Sequence, residues 1–477
     1  MDLPQPPRAN NLNGEAGGGQ LIGPPTRLQE HELDVLAPGT PEDGMEHGLG
    51  AAEPLSPREG YENAHAMGTL VMSDAVLGSQ DNPSTIAITA RQRQCLASLW
   101  RAMSSARRQS ACAQDVVLAH DYLLVMRGAE RTFAAIADLY PSAPIFTLLY
   151  DEQGTTGRFA GRTITTSVLQ RVGASQSSFR RLLPLYPWAA ERLEPPPCEL
   201  VLSSSSAFAH GLHAPAGAVH VCYCHAPFRY AWYEEERALG ETAAVLRPLL
   251  RAQLARIRRW DLRASARVHA YIANSALTRE RIRRYYGRES VVIHPPVETH
   301  RFAVGEPGDS LLLVSELVRH KRVRLALEAA RRARAPIQVA GSGPEYTALR
   351  AGFPEAEFLG RVGDDQLAQL YARARALVAP AVEEFGIAAV EAQAAGRPVI
   401  AAAAGGALET VLDGHTGRLA RPDDIDAFAA AIEELDKLDF KPQDAVKNAE
   451  RFSLQRFGEQ LSAHVREILA AAGRPLA

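Results

Sequence analysis

Twice along this chain, short apolar runs alternate with helical patterns, and that repeated alternation limits the fold more than any other feature of the sequence. The first series starts at Val116-Val117-Leu118-Ala119 and closes at His120-Asp121, the shape of a buried strand leading into a functional loop. A helical pattern then opens at Gly128-Ala129-Glu130 and covers residues 131–139. Further strands are predicted at 145–149, 199–203, 219–224 and 269–273, with helices between them. The second series opens with a strand at 310–315 and a helix at 323–332, then adds strands at 337–340, 358–360, 376–379 and 398–401. Alternating strands and helices of this kind predict doubly wound parallel sheets.

A chain of 477 residues is too long for one ordinary core. The expected fold is α/β, with two Rossmann-like domains and a cleft between them, preceded by a largely disordered leader. The boundaries read as 1–112 for the leader, 113–300 for an N-terminal acceptor domain and 301–450 for a C-terminal donor domain, joined near 296–309. Residues 451–477 read as a C-terminal segment, helical over 454–472, that packs back on the N-terminal domain. Residues 1–65 carry Gly17-Gly18-Gly19 and Pro24-Pro25 and too little apolar surface to offset their ordering entropy, which predicts disorder. The stretch 91–108 has the pattern of a basic helix containing Trp100.

Composition narrows the functional classes. Hydrophobic residues at 46% and charged residues at 22% suit a soluble globular protein, and a net charge of −3 gives no footprint for nucleic acid. No run of 18 apolar residues predicts a spanning helix, and the N-terminus lacks the apolar core of a secretory signal, so a cytoplasmic location is expected. The five cysteines, Cys95, Cys112, Cys198, Cys222 and Cys224, form no regular framework and suit a reducing compartment. Cys222-Tyr223-Cys224-His225 resembles half a metal site, but no second ligand pair follows at the required spacing. Two buried thiols on one face of a strand is the preferred reading, and no metal is expected.

The residues with chemistry to offer sit just after predicted strands. Open α/β sheets bind anionic nucleotides there, near helix N-termini whose N–H groups attract phosphate. Glu383 and Glu391 stand eight residues apart, with Gly386-Ile387 starting a helix between them. One carboxylate can accept from sugar hydroxyls and the other from a ribose, both facing one mouth. In Leu317-Val318-Arg319-His320-Lys321-Arg322, Lys321 offers a compact charge to a diphosphate, with Arg322 or Arg319 assisting. Gly405-Gly406, after the strand 398–401, lets backbone N–H groups approach a ligand with no Cβ in the way. Basic residues collect at Arg180-Arg181 and at Arg247, Arg251, Arg256, Arg258, Arg259 and Arg263, the latter interleaved with Leu249, Leu250, Leu254 and Ile257. That helix reads equally as a face that adheres to anionic lipid or as a solvated helix whose apolar residues pack into the core.

The string from Glu383 to Glu391 resembles the E-x7-E signature of the retaining family 4 glycosyltransferases of the GT-B fold. Supporting strings are His220 to Trp232 (His-Val-Cys-Tyr-Cys-His-Ala-Pro-Phe-Arg-Tyr-Ala-Trp), Trp260-Asp261, Ala273-Asn274-Ser275 and Gly405 to Val411. The resemblance runs from about Val116 to Leu469 and is to the bacterial mannosyltransferase-like branch that builds O-antigen and exopolysaccharide repeat units. It implies transfer of mannose from GDP-mannose, with retention, onto a polyprenyl-diphosphate-linked or saccharide acceptor, and a peripheral place on the cytoplasmic face of the inner membrane. It assigns catalytic roles to Glu383, which holds the sugar, to His225, which hydrogen-bonds it near the reacting carbon, and to Lys321, which meets the leaving diphosphate. It assigns donor binding to Gly128, Arg322, Gly386, Ile387, Glu391, Gly405 and Gly406. No cofactor and no divalent metal are implied, and no Asp-x-Asp stands where it would hold one.

The chain departs from that family's pattern in three places. Glu316 stands where the family has an arginine that contacts phosphate, and Arg127 takes the first glycine of a Gly-Gly-Ala-Glu-Arg string. Arg324 replaces an acidic residue. A dinucleotide-dependent oxidoreductase needs Gly-x-Gly-x-x-Gly after a first strand, and Gly341-Ser342-Gly343 is broken by Pro344. A non-catalytic nucleotide- or sugar-binding protein that kept the fold remains as the alternative, because of Glu316 and Arg127.

Overall fold

The computed structural model describes residues 114–172 and 179–474. The leader, its expected disorder, the basic stretch at 91–108, Cys95 and Cys112 lie outside the described residues, as does the Arg180 side chain. Seven parallel strands form the first sheet: β1 (Gln114–Leu123), β2 (Ile145–Tyr150), β3 (Ile164–Thr166), β4 (Cys198–Ser205), β5 (Val219–Cys224), β6 (Ala270–Ala273) and β7 (Ser290–Val292). Their order is β3-β2-β1-β4-β5-β6-β7, with the chain reversing direction across the sheet beside β1. Six parallel strands form the second: β8 (Leu311–Val314), β9 (Ile337–Ala340), β10 (Glu357–Gly360), β11 (Leu377–Ala379), β12 (Val399–Ala402) and β13 (Gly417–Ala420). Their order, β10-β9-β8-β11-β12-β13, repeats the same reversal beside β8. Ligands bind open sheets at such switch points, outside the carboxyl ends of the strands.

Strands β3, β7 and β13 escape the sequence reading for a physical reason. They have three, three and four residues, stand at sheet edges and carry few buried side chains, so no apolar run marks them. β1 is also longer than expected. His120 and Asp121 lie inside it rather than in a following loop, with His120 paired to Thr147 on β2 and to Ser204 on β4. The polar pair ends the apolar run but not the ladder. Asp121 is buried, and its carboxylate accepts from the backbone N–H groups of Phe208 at 2.8 Å and Ala209 at 2.6 Å.

The helices that matter to the site are α1 (Gly128–Leu139), α2 (Arg247–Ser265), α3 (Ala276–Tyr286), α4 (Val323–Arg332), α5 (Ile387–Ala394) and α6 (Leu454–Ala471). On α6, Phe457, Leu461, Val465 and Leu469 fall every fourth residue and form one buried stripe. The stripe packs with Phe133 and Ile136 of α1 in the N-terminal core, each side chain gaining roughly 1.5–3 kcal/mol on burial. The chain therefore crosses between domains twice, and the crossings are stitched together where Val297 N–H donates to the Phe452 carbonyl at 2.8 Å. On α2 the two readings of the basic helix divide by position. Leu254, Ile257 and Trp260 are buried in the core, whereas Leu249, next to the exposed Val245 and Leu246, is 70% exposed. Cys222 and Cys224 lie in one apolar cluster with Val268, Tyr271 and Ile282, and burial pushes both thiols up. Among the described residues no helix is long and apolar enough to cross a membrane.

Candidate active site

Lys321 and Glu383 meet at the carboxyl ends of β8 and β11. A 3-10 turn at Arg319–Lys321 follows β8 and places Lys321 Nζ 2.8 Å from Glu383 Oε1. Both line a narrow cavity with Ser315, Phe385 and Gly386. Gly386 begins α5 with φ of 88°, a left-handed backbone that an L side chain adopts only under strain. The N–H groups of the first turn of α5 face the cavity end of the helix, where an anion is stabilised.

Gly405 and Gly406 support this loop. A Cβ on Gly405 would lie 2.3 Å from the Glu383 carbonyl oxygen, and one on Gly406 would lie 2.2 Å from Phe385 Cα. The expected approach of their N–H groups to a ligand is corrected for Gly406, whose N–H already donates to the Glu383 carbonyl at 2.9 Å. The glycines set where Glu383 stands. Arg322 is not brought to the site. Its left-handed φ of 54° turns the side chain away from Lys321, and its Nε lies 2.7 Å from Asp423 on the surface. Arg319 is exposed and lines neither cavity described here.

Glu391 sits one turn along α5 and opens into a second cavity of about 200 Å³, shared with Arg127, Gly128, Arg131, Arg301 and Asp364. Burial raises its carboxyl above the ordinary range, against the pull of Tyr371, whose hydroxyl donates to it at 2.8 Å. Glu383 and Glu391 thus face two adjoining cavities rather than one mouth, and the first turn of α5 is the partition, with Ala388 lining both. Ile387 projects from that partition to the other domain. Its Cδ1 would lie 3.0 Å from a Cβ on Gly128, the first residue of α1.

His225 follows β5 and is buried, with Nε2 2.8 Å from Ser204 Oγ. Ser204 also lies 3.1 Å from His120 Nδ1, and burial lowers both imidazoles to about 3, so both are neutral at ordinary pH. His225 lines neither cavity.

The sequence reading missed Glu384 and Glu130. Glu384, next to Glu383, faces the N-terminal domain: Arg281 Nη1 of α3 stands 2.8 Å away and the Tyr233 hydroxyl 3.2 Å. Burial alone would raise its carboxyl, but Arg229 and Arg281 outweigh this and hold it below the usual range. Glu409 makes a similar crossing, accepting from Ala276 N–H at 2.9 Å and lying 2.9 Å from His294 Nε2. Glu130, in the first turn of α1, accepts from Arg127 N–H at 3.1 Å, and burial pushes its carboxyl up to about 7. A glutamate directly beside the signature was the only available signal for Glu384.

Comparison with known proteins agrees with this architecture. The family described as "Glycosyltransferase Family 4" matches residues 126–301, and "Glycosyl transferases group 1" matches residues 308–437. D-inositol 3-phosphate glycosyltransferase of Streptomyces coelicolor is 39% identical over 134 residues, 27% of this chain and 29% of that protein. The enzyme of the same name from Geodermatophilus obscurus is 32% identical over 245 residues, 43% of this chain and 54% of that protein. These alignments span about half or less of the curated relatives' length. Sucrose-phosphate synthase from Thermosynechococcus elongatus superposes with a TM-score of 0.57 at 17% identity, covering 75% of this chain and all of that one (100%). Anabaena Alr3699/HepE in complex with UDP and glucose superposes with a TM-score of 0.55 at 19% identity, covering 74% of this chain and 99% of that one. The described chain has the GT-B fold, two parallel-sheet α/β domains side by side.

Proposed function

We propose that this chain, whose two domains are each matched by a glycosyltransferase family, is a nucleotide-sugar-dependent glycosyltransferase that transfers with retention. The observation that carries this reading is the contact of Lys321 with Glu383 at 2.8 Å beside the N-terminus of α5. A sugar diphosphate needs a cation at its phosphate and an acceptor for its sugar hydroxyls within one small space, and this pair offers both. As the glycosidic bond breaks, charge develops on the diphosphate. Lys321 and the N–H groups of α5 are fixed where they stabilise it, so no divalent metal is required. Glu383 accepts from the sugar hydroxyls and Glu391 from the ribose across the partition; a role for His225 at the sugar rests on the sequence resemblance alone, since it lines neither cavity.

The donor in this reading is GDP-mannose, on the strength of the sequence resemblance, and the acceptor a polyprenyl-diphosphate-linked or saccharide intermediate of cell-surface polysaccharide. Exposed Val245, Leu246 and Leu249 beside Arg247 and Arg251 support a peripheral contact with the anionic cytoplasmic membrane face. The test is incubation with membranes and labelled GDP-mannose, UDP-glucose or GDP-fucose, with and without EDTA. Label should pass from GDP-mannose to a lipid-extractable product, undiminished by EDTA. A thermal shift with GDP or UDP but no transfer from any donor would instead favour a non-catalytic nucleotide-binding protein.

A further inference from the structure

Two of the three positions at which this chain departs in charge from the pattern it resembles, Arg127 and Glu316, are in contact. Arg127 Nη2 lies 3.5 Å from Glu316 Oε1, 189 residues along the chain and in the other domain. Arg127 stands immediately before α1, and Glu316 two residues beyond β8. One departure takes a cation out of the donor domain, and the other puts one on the wall that faces it.

The other cations on the larger cavity are already committed. Arg131 holds Asp364 at 3.0 Å, and Arg301 holds Glu298 at 2.9 Å and Asp364 at 3.4 Å. Arg127 has the loosest hold of the three. Its nearest carboxylate oxygen is farther away than that of either other arginine, and the side chains of Arg127 and Glu316 are 50% and 44% exposed, so water already screens the pair.

The geometry points to Arg127 as the second cation for the donor's diphosphate, supplied from the N-terminal domain, with Glu316 as the internal anion that holds it until the donor arrives. This assignment rests on the glycosyltransferase reading. Lys321 is arranged the same way, paired with Glu383 at 2.8 Å. An incoming diphosphate carries more charge than one exposed carboxylate and offers paired oxygens to the planar guanidinium. Because Arg127 comes from the facing domain, the second countercharge reaches the leaving group only when the domains meet, which ties activation to closure.

The test is calorimetric binding of GDP, UDP and the matching nucleosides to the full-length protein. Arg127→Ala should weaken the diphosphate about 10- to 100-fold, as expected for a charge-assisted contact, and leave the nucleoside unchanged. Glu316→Gln should tighten the diphosphate several-fold. The exchange Arg127→Glu with Glu316→Arg returns the cation to the donor domain and should bind the diphosphate within a few-fold of the parent. Arg331→Ala, which removes a surface cation of α4 paired with Glu355 and lining neither cavity, is the control and should bind as the parent does. If the parent binds and Arg127→Ala binds equally well, or loses nucleoside and diphosphate alike, the assignment falls and the glycosyltransferase reading stands. If the parent binds neither nucleotide, both fall together.

Discussion

Arg281 and Glu384 join the two domains through a contact of 2.8 Å, while Glu383, the preceding residue, turns back to Lys321 in its own domain. One short loop therefore holds, side by side, a carboxylate that crosses to the other domain and one that faces Lys321 in the cavity. Arg281→Ala leaves the half-buried Glu384 with Arg229 at 3.8 Å as its remaining cation, and should cost roughly 1–2 kcal/mol of stability. Chemical denaturation checks this, and an unchanged midpoint would show that the contact holds nothing.

Glu383→Ala should behave in the opposite way. Its ion pair with Lys321 is partly exposed, so stability should change by less than about 1 kcal/mol. Transfer should fall by roughly 100-fold or more, because the loss occurs where charge and orientation matter most. Lys321→Ala should abolish the thermal shift produced by GDP or UDP. A large drop in melting temperature for Glu383→Ala would make that residue structural instead.

Glu130 predicts a pH dependence whose sign is fixed. Burial lifts its carboxyl from 4.5 to about 7, so the folded protein binds that proton more tightly than the unfolded chain. The stabilisation is complete below the unfolded value of 4.5 and is lost as pH rises through about 7. The melting temperature of the parent relative to Glu130→Gln should therefore fall between about pH 5 and pH 8. Parallel curves would contradict this.

Gly406→Ala tests the support of the Glu383 loop. The added methyl would meet Phe385 Cα at 2.2 Å, which is backbone and has no rotamer to move. Overpacking of this kind costs typically about 1–3 kcal/mol, and transfer should be lost with it because Glu383 is displaced. Gly386→Ala meets nothing within 4 Å, so its penalty comes from the φ of 88° alone, roughly 1–2 kcal/mol. Equal activity in both variants and the parent would show that the loop position is not demanding.

Much of the fold was legible because buried parallel strands leave apolar runs, continuous at β1, β8 and β12 and interrupted by a single polar residue at β2 (Thr147), β5 (His220) and β9 (Gln338). The edge strands β3, β7 and β13 leave none. The neighbourhood of Lys321, Glu383 and Gly386 was legible because each follows a strand that ends on the same side of its sheet. Arg322 shows where this reasoning stops. Adjacent in sequence to Lys321, it was expected beside it, yet a single left-handed residue sends it to Asp423. The wall between Glu383 and Glu391 was equally hidden, since spacing along a helix says which side chains share a face but not what stands between them. Contacts such as Arg127 with Glu316 need both domains in place before they exist at all.

Ile387 pressed against Gly128 sets a limit on traffic. The larger cavity holds about 200 Å³, less than the roughly 300–1,000 Å³ of sites that enclose a drug-sized ligand. Ile387 Cδ1 stands 3.0 Å from where a Cβ on Gly128 would lie, so the two domains are in contact on that side of the cavity. On the glycosyltransferase reading, each turnover begins and ends with the halves parting there, so turnover can be no faster than that opening.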